Sequence, residues 1–221
     1  MSRWLTAFLT MLVLCLTLSG CSGAGQAYTD YVQAVMDCTY YGDTAQYMAF
    51  TGCAEADAQK VHADEVAYVT SLLYYKATVK EEYLDEETAA GYRKLAEELL
   101  SRVKFRIEPA MRSGSGYHVT IAAAPLEYWE LPAEKLQKIY AKNFAKRFYQ
   151  APPDSEELAR AEADWGKRAL TALTNAAENA DYQDARSAIV EITVDAQGHY
   201  SISEQNWQMV DELLLGLTEA E

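Results

Sequence analysis

Leu18-Ser19-Gly20-Cys21 places a thiol directly behind small residues, at the end of an apolar run that begins just after Arg3. A thiol in that setting can take a diacylglycerol group, and cleavage in front of it leaves Cys21 as a lipidated mature N-terminus. The run from Trp4 to Leu18 is short for ~30 Å of hydrocarbon, which needs about 20 apolar residues. A basic start, an apolar middle and a small-residue cut fit a cleaved leader better than an uncleaved anchor or a buried helix. A plain secretory cut near Gly23 or Ala24 is the competing reading. Residues 1–20 are therefore expected to be a leader, and Cys21 the lipid attachment.

With Cys15 in the leader and Cys21 lipidated, Cys38 and Cys53 are the thiols that remain. An extracytoplasmic pair flanking a helix-turn-helix suggests a disulfide, closing a loop of about 15 residues worth ~3 kcal/mol in the chain-entropy model. The plainer reading is two buried thiols, because Cys38 lies on an apolar face. His62, His118 and His199 lack metal-ligand spacing, so no metal or cofactor is expected. The stretch from Ser113 to Gly116 lacks the Lys-Ser/Thr of a phosphate loop and reads as a hairpin turn.

Neither a Gly-x-Ser-x-Gly elbow nor a His-Glu-x-x-His pair occurs, so no catalytic residue is assigned. Glu65 is the best acid candidate, since it falls on an apolar seam where burial would raise its pKa; the bland alternative puts it at the edge of the stripe. Tyr128 and Trp129 sit between Pro125 and Pro132. They could form a stacking surface for sugar or peptide, or simply plug the join between two halves.

The chain carries a formal charge of -14, and losing Arg3 with the leader makes it one more negative. Such a surface is repelled by nucleic-acid phosphates and by anionic head groups, so nucleic acid is excluded as a partner and the lipid must anchor without a basic patch. Half of the residues are hydrophobic and 11% are aromatic, enough to bury a real core. The expected organisation is a leader (1–20), a lipidated tether (21–26) and one domain (27–217) with halves 27–124 and 125–217.

These residues must be positioned by helices first. Apolar spacing predicts helices over Tyr28–Tyr41, stopped by Gly42, and Thr44–Phe50, opened by Asp43 with Gln46. A long helix from Ala54 to Val79 is read with its seam at Val61, Tyr68, Leu72, Tyr75 and Val79, and Asp85 caps another. The period then falls to two. Val103, Phe105 and Ile107 pair with Tyr117, Val119 and Ile121 across a turn. The plan repeats with a helix from Pro132 through Phe148, a long one capped by Asp154 and Glu157, a hairpin turning at Asp195 to Gly198, and a last helix from Glu204 to Leu215. An α+β fold is expected, predominantly helical, with two hairpins that could share one four-stranded antiparallel sheet and a pseudo-repeat of helices followed by hairpin.

Tyr31-Val32-x-Ala34-x-x-Asp37, then Tyr40-x-Gly42-Asp43, Tyr47, Thr51 and Gly52, and late Val210-Asp211-Glu212-Leu213-Leu214, carry a resemblance. The chain resembles an uncharacterised lipoprotein domain family of Gram-positive (Firmicutes-type) gut anaerobes over nearly its whole mature length. The resemblance implies location and fold and no activity; Cys38 and Cys53 depart from the small residues such domains would carry there.

Three classes of function fit. A non-enzymatic envelope protein that binds a partner or ligand beside the bilayer leads. A cell-wall or carbohydrate hydrolase would need paired carboxylates in a cleft about 5–10 Å apart. A solute receptor would call for two larger lobes around a cleft.

Overall fold

The computed structural model describes residues 23–114, 116–145, 148 and 155–217. The leader and Cys21 lie outside the described residues. Helix α1 (Gly23–Tyr41) begins at once, so Gly23 to Gln26 of the expected tether are helical. Tertiary contacts hold that first turn against the low helix propensity of its glycines. Thr29 Oγ1 accepts from Ala110 N at 2.9 Å and donates to Gly25 O at 3.3 Å, and the Tyr28 ring stacks on Tyr117 at 4.1 Å.

Gly42 ends α1 with φ +70°, where an added Cβ would lie 3.2 Å from the His62 ring. Helix α2 (Thr44–Thr51) follows, its first turn capped by Asp43, which accepts from Ala45 N at 3.2 Å. Next come α3 (Glu55–Ala77), a 3₁₀ turn at Glu81–Tyr83, and α4 (Glu86–Ser101), capped by Asp85 accepting from Thr88 N at 2.8 Å. Strands β1 (Lys104–Ile107), β2 (Met111–Ser113), β3 (Gly116–Ala124) and β4 (Leu126–Glu127) lead to α5 (Glu130–Tyr140), which runs into a π-helical turn at Ala141–Ala145. After α6 (Glu156–Glu178) come β5 (Asp181–Tyr182), β6 (Arg186–Val194), β7 (Tyr200–Ile202) and α7 (Glu204–Leu214).

The fold is α+β and mostly helical. Both expected hairpins form and join into one antiparallel sheet of order β1-β3-β6-β7, with β2 also pairing β3. Phe105↔Ala123 and Ile107↔Ile121 set one register, Ile192↔Ile202 the other, and Val119↔Val190 fuses the two. A two-stranded patch, β4 with β5, pairs Leu126 with Tyr182.

One face of the sheet buries Val119, Ile121, Val190 and Ile192; β3 packs on α1 and α7, and β6 on α7. Helix α1 in turn packs on α3 and α4, α4 on α6, and α5 on both α3 and α6. The α3 seam differs from the expected one by about one residue. Val66, Val69, Leu73, Tyr74 and Ala77 are buried, whereas Tyr68 and Tyr75 face water, Tyr75 at 76% exposure. Tyrosine satisfies either side of a helix, because its hydroxyl can stay wet while its ring packs. The cap of α6 is Ser155, accepting from Leu158 N at 3.4 Å; Asp154 lies outside the described residues.

Candidate functional site

Helices α5 and α6 pack with small residues between them, and the shortfall in side-chain volume leaves a groove. Its middle, about 280 Å³, is walled by Pro132, Leu136, Ile139, Ala172 and Ala176 with Lys135 at the rim. Ile139 is shared with an inner cavity of about 300 Å³, walled by Phe144, Phe148, Ala161 and Trp165 and edged by Asp164 and Arg168. Pro132 and Ala176 are shared with a third space of about 230 Å³ beside Tyr128, Trp129, Asn179 and Gly216. The inner cavity sits where the helix loosens into its π turn, an arrangement that recurs at functional sites. Tyr140, Phe144 and Phe148 form a ladder there at successive centroid spacings of 5.0 Å, with Trp165 5.4 Å from Tyr140.

Behind this wall, Glu162 on α6 is 2% exposed. Its Oε1 accepts from Lys80 Nζ at 2.7 Å and from the Tyr140 hydroxyl at 3.0 Å; among the described residues nothing meets Oε2. Hydrogen bonding to Glu162 raises the Lys80 pKa, and burial, then the Glu162 hydrogen bond, pushes Tyr140 up to about 12. This trio braces the aromatic ladder from behind.

Glu65, the acid candidate of the sequence, is buried on the α3 seam at 7% exposure. Burial, then the charge of Asp211, pushes it up to about 8. Asp211, on α7, accepts from the Tyr40 hydroxyl, and burial holds it up at about 6 despite that bond. Carboxyls with raised pKa values can act as acids or bases, yet neither of these lines the groove. Asp211 carries no signal in the sequence beyond its place among the apolar residues of α7.

Of the two readings of Tyr128 and Trp129, the structure favours the plug over the stacking surface: each is buried, at 4% exposure. Trp129 Nε1 donates to Leu215 O at 2.5 Å, Tyr128 OH to Leu173 O at 3.2 Å, and the rings meet edge-on at 5.0 Å. The chain passes beneath them at Gly216, with φ +66°, where a Cβ would lie 2.6 Å from Leu126 O. A proline-bracketed connector thus buries both aromatics because the end of α7 covers them.

Cys38 and Cys53 are free thiols. Cys38 Sγ donates to Ala58 O at 3.5 Å across the α1–α3 contact, and burial, then the neighbouring Cys53 and Asp43, push it up to about 11. In thiol titration of the native chain, Cys53 is expected to react first and Cys38 only slowly, with both reacting after unfolding. A single thiol phase, or none, would contradict this arrangement. The three histidines do not gather: His62 Nδ1 meets Thr39 O at 2.8 Å, His199 Nδ1 meets Asp195 Oδ2 at 2.9 Å, and His118 pairs with Met111 across β2 and β3.

No family model and no curated protein matches the chain. Among solved structures it is similar to the crystal structure of a "putative lipoprotein (ycdA)" from Bacillus subtilis, with a TM-score of 0.53 and 13% identity over 84% of this chain. The match covers 56% of that protein, so this chain spans little more than half of its neighbour's length. At that identity the likeness is one of fold. Among the described residues, no helix is long and apolar enough to cross a membrane.

Proposed function

We propose that the chain is a lipoprotein held at the outer face of a bacterial membrane, of the kind found in Gram-positive anaerobes, which binds a partner or ligand there without chemically altering it. The observation that carries the binding role is the groove along α5 and α6. Its three spaces share walls; the middle one is lined by alkyl side chains, the one at the π turn adds aromatic rings with Asp164 and Arg168, and the third adds Glu127, Asn179 and Gln183 beside Tyr128 and Trp129. The middle space suits an apolar group, and the polar side chains at either end would orient what it is attached to. Anchoring rests on the Leu18-Ser19-Gly20-Cys21 pattern, with support from the fold shared with the Bacillus subtilis neighbour.

Two measurements test this. Cys21→Ala should leave the precursor uncleaved or shed the protein into the medium, with loss of metabolic palmitate labelling; normal retention and labelling would refute the anchor. For the groove, 1-anilinonaphthalene-8-sulfonate should bind saturably to the native chain and take energy from Trp165. Ala176→Phe, which fills the wall common to two of the spaces, should weaken that binding about tenfold or more while the fold is kept. Unchanged dye affinity in this variant would remove the groove as the site.

A further inference from the structure

The first turn of α1 is seated against one end of the sheet, and that end is the one nearest Cys21 along the chain. A Cβ on Gly25 would lie 3.4 Å from Ala110 O and 3.8 Å from the Tyr117 ring, and the same two residues are held by Thr29 and Tyr28. At most ~7 Å of chain joins Cys21 to Gly23, so a lipid on Cys21 is rooted within about 13 Å of Gly25. Met111 follows Ala110 directly. It is 66% exposed, and among the described large hydrophobic residues only Tyr75 is more so. Arg112 beside it is exposed and, among the described residues, has no ion-pair partner. The Tyr117↔Ile192 register brings the turn after β6 to this same end, where Val194 is exposed. Two acids nearby, Asp30 on α1 and Asp195 in that turn, are engaged within their own segments, with Gln26 at 2.7 Å and His199 at 2.9 Å.

We infer that Met111 and Arg112 form a second membrane contact, entering the phospholipid head-group layer beside the lipidated Cys21; the inference rests on the anchored reading above. That layer is roughly 5–7 Å deep on each face of a bilayer, and the lipid carries its own root to it. Strand β2 is therefore held within reach of it. A methionine at this boundary exchanges water for acyl chain, and an arginine keeps its guanidinium among phosphate oxygens while its alkyl stem lies along the apolar side. In a chain of formal charge -14, an exposed thioether with an unpaired cation next to it is an exception, and it stands where the bilayer must come. On an anionic membrane the acidic remainder of the surface is repelled, which favours the pose with this end facing down.

Nitroxide labels read depth through collision with oxygen, which concentrates in the bilayer, and with a nickel chelate, which stays in water. The lipidated chain carrying Cys53→Ser is labelled at Met111→Cys, at Arg112→Cys or, as the wet reference, at Tyr75→Cys, and reconstituted into vesicles of phosphatidylethanolamine and phosphatidylglycerol. At positions 111 and 112 the oxygen-to-chelate collision ratio should exceed that at 75 by about threefold or more. Either position decides if the other variant does not fold. Vesicle-bound chain with labels at 111 and 112 as wet as at 75 would overturn the contact and leave the anchor standing. A dry label at 75 in their place would show another face against the bilayer and overturn it equally. A chain that does not float with the vesicles would overturn the anchor, and the contact with it.

Discussion

Trp129→Ala will destabilise the protein by about 3–5 kcal/mol. The indole is almost fully buried, meets Tyr128 edge-on and donates to Leu215 O, whose residue is itself 3% exposed. Truncation therefore opens a large cavity and also strands a buried carbonyl, and the two effects add. Tyr128→Phe keeps the ring and loses only the hydrogen bond to Leu173 O, so it should cost about 1 kcal/mol. Urea unfolding of the two variants separates them. A Trp129→Ala cost below about 1 kcal/mol would mean the indole is peripheral, and would restore the aromatic pair as a surface for recognition.

The second large effect is expected from Lys80→Met. Removing one partner of a buried ion pair costs about 3–5 kcal/mol, because the other charge stays buried and alone. Glu162 is that case, with its side chain 1% exposed, but the Lys80 side chain is 44% exposed and partly served by water. The expected cost is therefore nearer 2–3 kcal/mol. Adding Glu162→Gln, which removes the stranded charge, should recover much of the loss. A double-mutant cycle measures this, and additive costs would show that the pair is not coupled.

The parts of this fold that could be read from the sequence are those with a period and a cap. Asp43 and Asp85 fixed two helix starts, and the alternation from Val103 to Ile107 and from Ala188 to Val194 revealed the strands of one sheet. The α3 seam was harder, since Tyr68 and Tyr75 compete with Val66, Val69 and Leu73 for the apolar stripe and only tertiary packing decides between them. Strands β4 and β5 have two residues each, too few to show any period. Burial of Glu65 was legible from its own helix, but Asp211, whose charge acts on it, lies on α7, far along the chain. The groove was invisible for a related reason: the space beside Ala172 and Ala176 exists only once α5 lies opposite them. The sequence could not decide between plug and surface for Tyr128 and Trp129, because the covering segment, Leu215 and Gly216, comes from the far end of the domain.

The helical start at Gly23 changes what anchoring means. If Cys21 carries lipid, only Ser22 separates the attachment from α1, and contacts from Thr29 to Ala110 and from Tyr28 to Tyr117 clamp that helix to the sheet. The body then cannot sweep a hemisphere on a slack leash. A body anchored in this way would stand on the bilayer in a restricted set of orientations, with α1 (Gly23–Tyr41) about 28 Å long. For such an anchored body, a search in three dimensions with free rotation would become a search in a plane at a restricted height.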